Sequence, residues 1–316
     1  MKYFLKATID KMMSLQLAHQ LRDRNVLLVG AGEVSMTRVV KLIPTGCKIT
    51  VISPEVHPDM WSYFDGQREH AVVDSTDKNW SSTKGKIYRI IKRKFRDNDL
   101  ILYGDGRDLE KSREAFLCGK SKEIDWDLVK KRGGSNVWSL ILTCIPDPLE
   151  SEHIYRGAKL LFGEQMMCNV ADNPPLCDFY FGSNVTLGAD EGQKTLPIQI
   201  MISSNGNSPR FTALLKGQIE KQFGSIPVGP SVYKLGQLRS NVRKISDQFE
   251  KQIGRAQMIK YRMEWIRTCT DIFGVTNCHA IETDKLSELF QKMAAEKSLE
   301  FPTKEIMLKE YMSNES

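Results

Sequence analysis

No stretch of this sequence approaches the roughly 18 uninterrupted apolar residues that a membrane helix needs, so no membrane span is expected. The seven cysteines (Cys47, Cys118, Cys144, Cys168, Cys177, Cys269 and Cys278) include no CxxC pair, and their number is odd. That pattern argues against a disulfide framework or a zinc cage and for reduced thiols in a cytoplasmic setting. No internal repeat and no low-complexity linker interrupts the chain. Charge of one sign is also scarce: the net charge is +6, with Lys and Arg interleaved with Asp and Glu almost everywhere. Such a surface suits an acidic small molecule better than a nucleic-acid track. Met1 to Lys11 lack the apolar core and cleavage site of an export signal, and with Met12 and Met13 they read as an N-terminal extension over residues 1–13.

What is present is an α/β pattern. Asn25 to Gly30 is a short apolar run ending in glycine, the mark of a buried parallel strand. A helix is expected from Glu33 to Leu42, stopped by Pro44 and Gly46, and a second buried strand from Lys48 to Ser53, closed by Pro54. Together they form a βαβ unit. Further on, Ala71–Val73 and Leu100–Tyr103 read as strands, with Ile87, Ile90, Ile91 and Phe95 at helical spacing between them. Gly104 to Gly134 reads as a charged surface excursion. Trp138–Ile145 restores the strand signal, followed by a helix over Ser151–Phe162 and a strand over Gln165–Val170. The first half therefore reads as a doubly wound domain. Past Asp172, Leu196–Ser203 alternates as a strand. The rest is helical pattern, over 211–223, 232–245, 248–268, 285–297 and 305–311.

The turn Gly30-Ala31-Gly32-Glu33-Val34-Ser35 follows a strand and opens a helix, the setting a dinucleotide-binding turn requires. Gly30 allows the tight bend and Gly32 lets the backbone approach a pyrophosphate at the positive helix N-terminus. Ser35 stands where a third glycine is usual. Ser53, Pro54 and Glu55 end the second strand, where the ribose-binding acid is expected, and no arginine follows directly to accept a 2′-phosphate. That favours NAD over NADP. Thr143 ends a central strand and either contacts the cofactor or terminates the strand. Asp172, in Asn169-Val-Ala-Asp172-Asn-Pro-Pro, sits where strand carboxyl ends open a crevice; it reads as a catalytic acid or as an Asx turn or cap. Ser208 and Pro209 read as an N-cap and N1 pair. Arg38 and Arg210 are candidate carboxylate anchors. His19, His57, His70 and His153 stand isolated. Nothing near Cys278-His279 completes a metal ligand set, so no metal site is expected.

Taken together, Ser14–Leu21, Leu27–Arg38, Pro44–Cys47, Thr143–Asp147, Asn169–Asn184, Ser204–Phe211, Cys269–Gly274 and Cys278-His279 resemble the fungal siroheme-synthesis enzymes. These are bifunctional precorrin-2 dehydrogenases and sirohydrochlorin ferrochelatases. The resemblance implies a homodimer built from an NAD-binding Rossmann domain (14–145), a central dimerisation region (146–222) and a helical C-terminal domain (223–316). It implies oxidation of precorrin-2 by NAD and then insertion of Fe(II), the metal being substrate. It implies that Asp172 is the key aspartate, with His279 secondary. Bacterial relatives carry a further methyltransferase domain, for which no room is expected after residue 223. A dehydrogenase without chelatase activity, and a non-catalytic NAD or tetrapyrrole sensor, remain the alternatives.

Overall fold

A computed structural model of the chain describes residues 14–66, 74–102, 115–124, 126, 138–188, 197–205 and 207–313. The chain divides into two compact units, Met1–Tyr180 and Phe181–Ser316. The strand expected at Ala71–Val73, most of the 104–134 excursion, His70 and the N-terminal extension lie outside the described residues.

The first unit is built on a six-stranded sheet. Its strands are β1 (Asn25–Val29), β2 (Lys48–Ile52), β3 (Asp74–Thr76), β4 (Arg89–Ile91), β5 (Trp138–Thr143) and β6 (Cys168–Val170), in the order β3-β4-β2-β1-β5-β6. All neighbours are parallel except the edge strand β3, which runs antiparallel to β4. The buried apolar runs explain this: Val26 to Val29, Ile49 to Ile52 (Thr50 included) and Leu140 to Thr143 are shielded along their whole lengths, as a sheet covered on both faces demands. Helix α1 (Glu33–Leu42) crosses from β1 to β2. The chain moves from β1 outward to β2 and β4, then returns to β5 on the other side of β1. The order therefore reverses between β1 and β5, and ligands of open α/β sheets bind outside the strand carboxyl ends at such a point.

Two expectations in this unit are corrected. Ile90 and Ile91 do not ride on a helix: Arg89–Ile91 is strand β4, paired with Thr50–Ile52 of β2, so both isoleucines enter the core from a strand. Conversely, Asp99–Leu102 is a helical turn, α2, instead of a strand. Its first residue decides the matter. The fully buried Asp99 carboxylate accepts two hydrogen bonds from Arg93, at 2.6 and 2.7 Å, and one from the Arg96 backbone N–H at 2.8 Å. This reach back to the preceding backbone holds the chain in a turn. Trp138 Nε1 then donates to the Leu100 carbonyl at 2.9 Å, satisfying an acceptor that a ladder would otherwise have used. Helix α3 (Pro148–Phe162) starts three residues earlier than its apolar spacing suggests, because Asp147 caps the N–H groups of Leu149 and Glu150 and Pro148 fills the first position.

The second unit holds an antiparallel pair, β7 (Ser183–Leu187) and β8 (Ile198–Ile202). Strand β7 escapes a reading of the sequence because Ser183, Asn184 and Thr186 dilute its apolar signal to Val185 and Leu187, which are buried. Then come α4 (Pro209–Phe223), α5 (Val228–Ile253), α6 (Arg255–Asn277), α7 (Thr283–Ala295) and α8 (Lys304–Glu310). The expected helix break near Ser246 is absent. Ser246 Oγ donates to the Arg243 carbonyl at 2.7 Å and accepts from Arg262, so the polar residue is accommodated mid-helix. The break falls at Gly254, whose φ of 88° lies where glycine is favoured. The core of these helices centres on Trp265, Phe273, Phe290 and Leu286, with Trp265 and Phe290 edge to face at 5.2 Å.

Candidate functional site

The site is assembled at the carboxyl ends of β1, β2, β5 and β6. After β1, Gly30 takes φ +99°, and a Cβ there would stand 2.8 Å from the Cys144 carbonyl carbon and closer still to its oxygen. Only glycine lets these two backbones pass so closely. Cys144 N–H in turn donates to Val29 O at 2.7 Å, so the glycine turn and the end of β5 are one rigid piece. Gly32 is the N-cap of α1. A Cβ on it would meet nothing within 4 Å, and no side chain caps the helix. The first N–H groups of α1 are therefore left without a side-chain cap. Ser35, in the third glycine position, is fully buried, which explains why a small residue is required there.

Of the other sequence candidates, Ser53 is buried at the end of β2, while Pro54 and Glu55 are exposed just beyond it. Glu33 and Val34 lie in the first turn of α1 with exposed side chains. Thr143 is 2% exposed and its Oγ1 is buried without a hydrogen-bond partner among the described residues. A buried hydroxyl left so is costly unless a ligand completes it. Ala171 N–H donates to Thr143 O at 2.9 Å, which brings the residue before Asp172 alongside the end of β5.

Asp172 has φ +57°, a left-handed conformation that Asp tolerates better than most residues. It is not the helix cap that its sequence allowed: Asn173 occupies the N-cap of the short helical turn Pro174–Leu176. Among the described residues no hydrogen bond or ion pair holds its carboxylate, which is exposed. What holds the backbone is the hairpin around it. The chain returns after Pro174–Leu176 to bridge Cys177 against Asn169, and Asp178 N–H donates to Cys168 O at 2.9 Å. Asp178 Oδ2 accepts from Cys168 N–H at 2.7 Å and from Lys159 Nζ at 2.8 Å, while Lys159 also donates to the Glu164 and Met166 carbonyls. Burial disfavours the Lys159 charge, but the hydrogen bond to Asp178 and the charges of Asp178, Tyr155 and Cys168 together outweigh it, and the ammonium stays charged to higher pH than usual.

The thiols around this crevice are not nucleophiles. Burial raises Cys144 above the ordinary thiol range, against the opposing pull of Arg38 and of hydrogen bonding with Ser35. Burial, then the charge of Asp178, pushes Cys168 up to about 12. Both remain protonated at neutral pH. The acid group open to chemistry at the end of β6 is therefore the Asp172 carboxylate, not a thiolate. The Arg38–Ser35–Cys144 grouping has one visible sign in the sequence, the i, i+3 spacing of Ser35 and Arg38. His57, isolated along the chain, is not so in space: its Nε2 lies 2.8 Å from Glu33 Oε1. His153 likewise meets Asp97 at 2.9 Å.

In the second unit, Arg210 is exposed in the first turn of α4. Ser208 is the N-cap by position, but its hydroxyl makes no cap hydrogen bond; its N–H instead donates to Ser204 Oγ at 3.0 Å. Cys278 is buried in the helical core, while the His279 ring packs its Nδ1 against the Thr276 carbonyl at 3.0 Å. No group of three or more metal-ligating side chains is present among the described residues.

A parallel sheet whose order reverses at β1, a glycine turn opening a helix there and an orphaned hydroxyl beside it define a protein that binds a nicotinamide dinucleotide. A family model described as putative NAD(P)-binding matches residues 17–183. Two others, described as the sirohaem biosynthesis protein central and C-terminal regions, match 197–222 and 227–299. A siroheme biosynthesis protein of Saccharomyces cerevisiae is 39% identical over 314 residues, covering 95% of this chain and 99% of that protein. Its counterpart in Schizosaccharomyces pombe is 30% identical over 60% of this chain and 67% of that protein. A siroheme synthase of Nitrosospira multiformis is 24% identical over 71% of this chain and only 34% of its own length. The chain belongs to the siroheme biosynthesis protein family.

Proposed function

We propose that the protein oxidises precorrin-2 to sirohydrochlorin with NAD and then inserts Fe(II) to give siroheme, with Asp172 as the catalytic carboxylate of both steps. The observation that carries this reading is Asp172 itself: an exposed carboxylate in a left-handed backbone position, near Cys144 at the end of β5, with no hydrogen bond or ion pair among the described residues. A left-handed backbone position and an exposed carboxylate at a strand-end crevice support a working group there.

Gly30, Gly32, Glu33, Val34, Ser53, Pro54, Glu55 and Thr143 are the residues that would hold the dinucleotide. The first N–H groups of α1 would hold its pyrophosphate, and Thr143 Oγ1, without a hydrogen-bond partner among the described residues, would donate to the cofactor. When bound, the cofactor would supply the hydride acceptor. Asp172 accepts the proton that leaves the macrocycle in the same oxidation. Chelation releases two pyrrole protons as the metal enters, and the same exposed carboxylate receives them one at a time, passing each to solvent before the next. The four tetrapyrrole nitrogens hold the iron, so the protein needs no ligand cage of its own. Arg38, on the crevice side of α1, is a fitting anchor for one of the substrate carboxylates. The absence of Lys or Arg among Ser53-Pro-Glu-Val-His-Pro-Asp59 supports NAD over NADP.

The domain division we propose is 14–145 for the cofactor, 146–222 for dimerisation and 223–316 for the helical part. Helix α4 supports a second copy as the partner: it buries only Thr212, while Phe211, Leu214 and Leu215 are 59%, 53% and 39% exposed. A row of large apolar side chains left in water marks an interface. Sedimentation equilibrium is expected to return twice the 36.0 kDa chain mass, and a monomer at micromolar concentration would refute this.

The deciding assay supplies purified protein with precorrin-2, NAD and Fe(II), following NADH absorbance and siroheme formation separately. No NADH removes the dehydrogenase assignment, and NADH without siroheme leaves a dehydrogenase alone. Gly32→Asp sharpens the test. The N-cap backbone is extended (φ −90°) with open space for a Cβ, and Asp is a favoured N-cap near a positive helix end. Folding stability should hold or rise by about 0.3 kcal/mol. NADH affinity should fall about tenfold or more, because the new carboxylate faces the pyrophosphate. Oxidation would then be lost while chelation of supplied sirohydrochlorin persists.

A further inference from the structure

We infer that His57 is a positioning residue of the cofactor site: it fixes the Glu33 carboxylate at the mouth of the glycine turn and so selects a dinucleotide whose adenosine 2′-hydroxyl is free. This rests on the reading of the glycine turn as the dinucleotide site.

His57 lies in the loop after β2 and joins that loop to the turn after β1 in two ways. Its backbone N–H donates to the Ala31 carbonyl at 2.9 Å. Its ring works in the other direction. Nδ1 accepts from the Asp59 N–H at 3.2 Å, which leaves Nε2 as the donor to Glu33 Oε1 at 2.8 Å. The ring is packed, with 22% of its side-chain surface exposed, whereas Glu33 and Asp59 project into solvent at 87% and 79%. The imidazole is thus the ordered element, and it gives one position to a glutamate that would otherwise sample many rotamers.

In this fold the adenosine ribose lies between the glycine turn and the end of the second strand. Here that gap is rimmed by carboxylates. Glu33 is held by the His57 ring, Asp59 Oδ2 stands 3.9 Å from its Nδ1, and the exposed Glu55 precedes it by two residues. Ribose hydroxyls can donate to such a rim. A 2′-phosphate meets charge of its own sign, with no Lys or Arg in residues 53–59 to offset it. Because these carboxylates are exposed, water and salt screen the effect, and the discrimination from Glu33 is expected to be about five- to tenfold.

The test is a fluorescence titration of the full chain with NADH and with NADPH, without tetrapyrrole. The wild type should bind NADH more tightly. Glu33→Gln and His57→Ala should each lower the ratio of the NADPH to the NADH dissociation constant by about fivefold. His57→Gln, which retains an amide donor for Glu33, should restore most of it. A histidine that merely staples two loops would weaken both cofactors alike, so an unchanged ratio in His57→Ala overturns the inference even if both affinities fall. A ratio that drops only in Glu33→Gln also overturns the role of His57. Wild-type protein that binds neither nucleotide removes the cofactor reading itself, and this inference with it; binding with an unaltered ratio in both variants removes the inference alone.

Discussion

Asp172→Asn is expected to lower the rate of precorrin-2 oxidation about 10²- to 10⁴-fold, the usual contribution of a positioned proton acceptor. The choice of asparagine matters. Asp172 has φ +57°, and Asn shares with Asp an unusual tolerance of that region, so the hairpin between β6 and Cys177 should keep its shape. No hydrogen bond or ion pair among the described residues holds the carboxylate, so removing its charge should leave the fold without an unpaired partner. NADH binding should therefore stay within about twofold of wild type, because the cofactor residues belong to the loops after β1, β2 and β5. Chelation should fall together with oxidation if one carboxylate serves both. Stopped-flow NADH formation and siroheme absorbance, measured on the same preparation, check the two rates. A variant that folds, binds NADH and retains both rates would show that the proton acceptor lies elsewhere. Asp172→Ala is the poorer probe, since alanine in a left-handed position adds strain of about 1 kcal/mol to the loss of charge.

Gly30→Ala is expected to be among the most damaging single-methyl changes in the chain, costing about 3 kcal/mol or more. Two penalties coincide. The φ of +99° lies outside the range an L side chain accepts readily, and the added Cβ would stand 2.8 Å from the Cys144 carbonyl carbon and closer still to the oxygen. Those are backbone atoms of a strand end tied to β1 by the Cys144 N–H to Val29 O bond, so they cannot swing aside as a flexible side chain would. Relief requires β1 and β5 to separate at the point where the sheet reverses. Thermal unfolding should show the loss of the first unit at markedly lower temperature, and NADH titration should show no binding even where the protein remains folded. The contrast with Gly32→Asp is the informative one: a larger, charged residue two positions away meets open space and should be tolerated. If Gly30→Ala unfolds no earlier than wild type, the close passage of the two backbones is wrong.

The glycine turn, the end of β2 at Ser53 and Thr143 are legible in the sequence because each depends on short-range rules. A strand that ends in Gly-x-Gly and runs into a helix shows itself within about twelve residues. Asp172 stands out as unusual, but its own residues leave it a catalytic acid or a cap, and in the sequence only the family resemblance makes it the key aspartate. Only the fold removes the cap reading, by giving the cap to Asn173 and leaving the carboxylate beside the end of β5. Other misreadings share one cause. Ile90 and Ile91 have helical spacing locally, yet their pairing with β2 makes them strand residues; Leu100 and Ile101 are strong strand formers, yet the buried Asp99–Arg93 pair holds them in a turn.

By itself the amino-acid sequence determined the α/β pattern, the βαβ unit around Gly30 and the identity of the dinucleotide turn. Each follows from periodicity and from backbone freedoms that belong to single residues. The tertiary structure decided what meets what. It set Cys144 O against Gly30, aligned Ala171 with Thr143, placed the His57 ring on Glu33, and left Asp172 with its charge unspent. The shortest of these contacts, from Glu33 to His57, already spans 24 residues of chain, and no local pattern encodes any of them. They arise only when burial of the apolar strands brings the carboxyl ends of β1, β2, β5 and β6 to one edge.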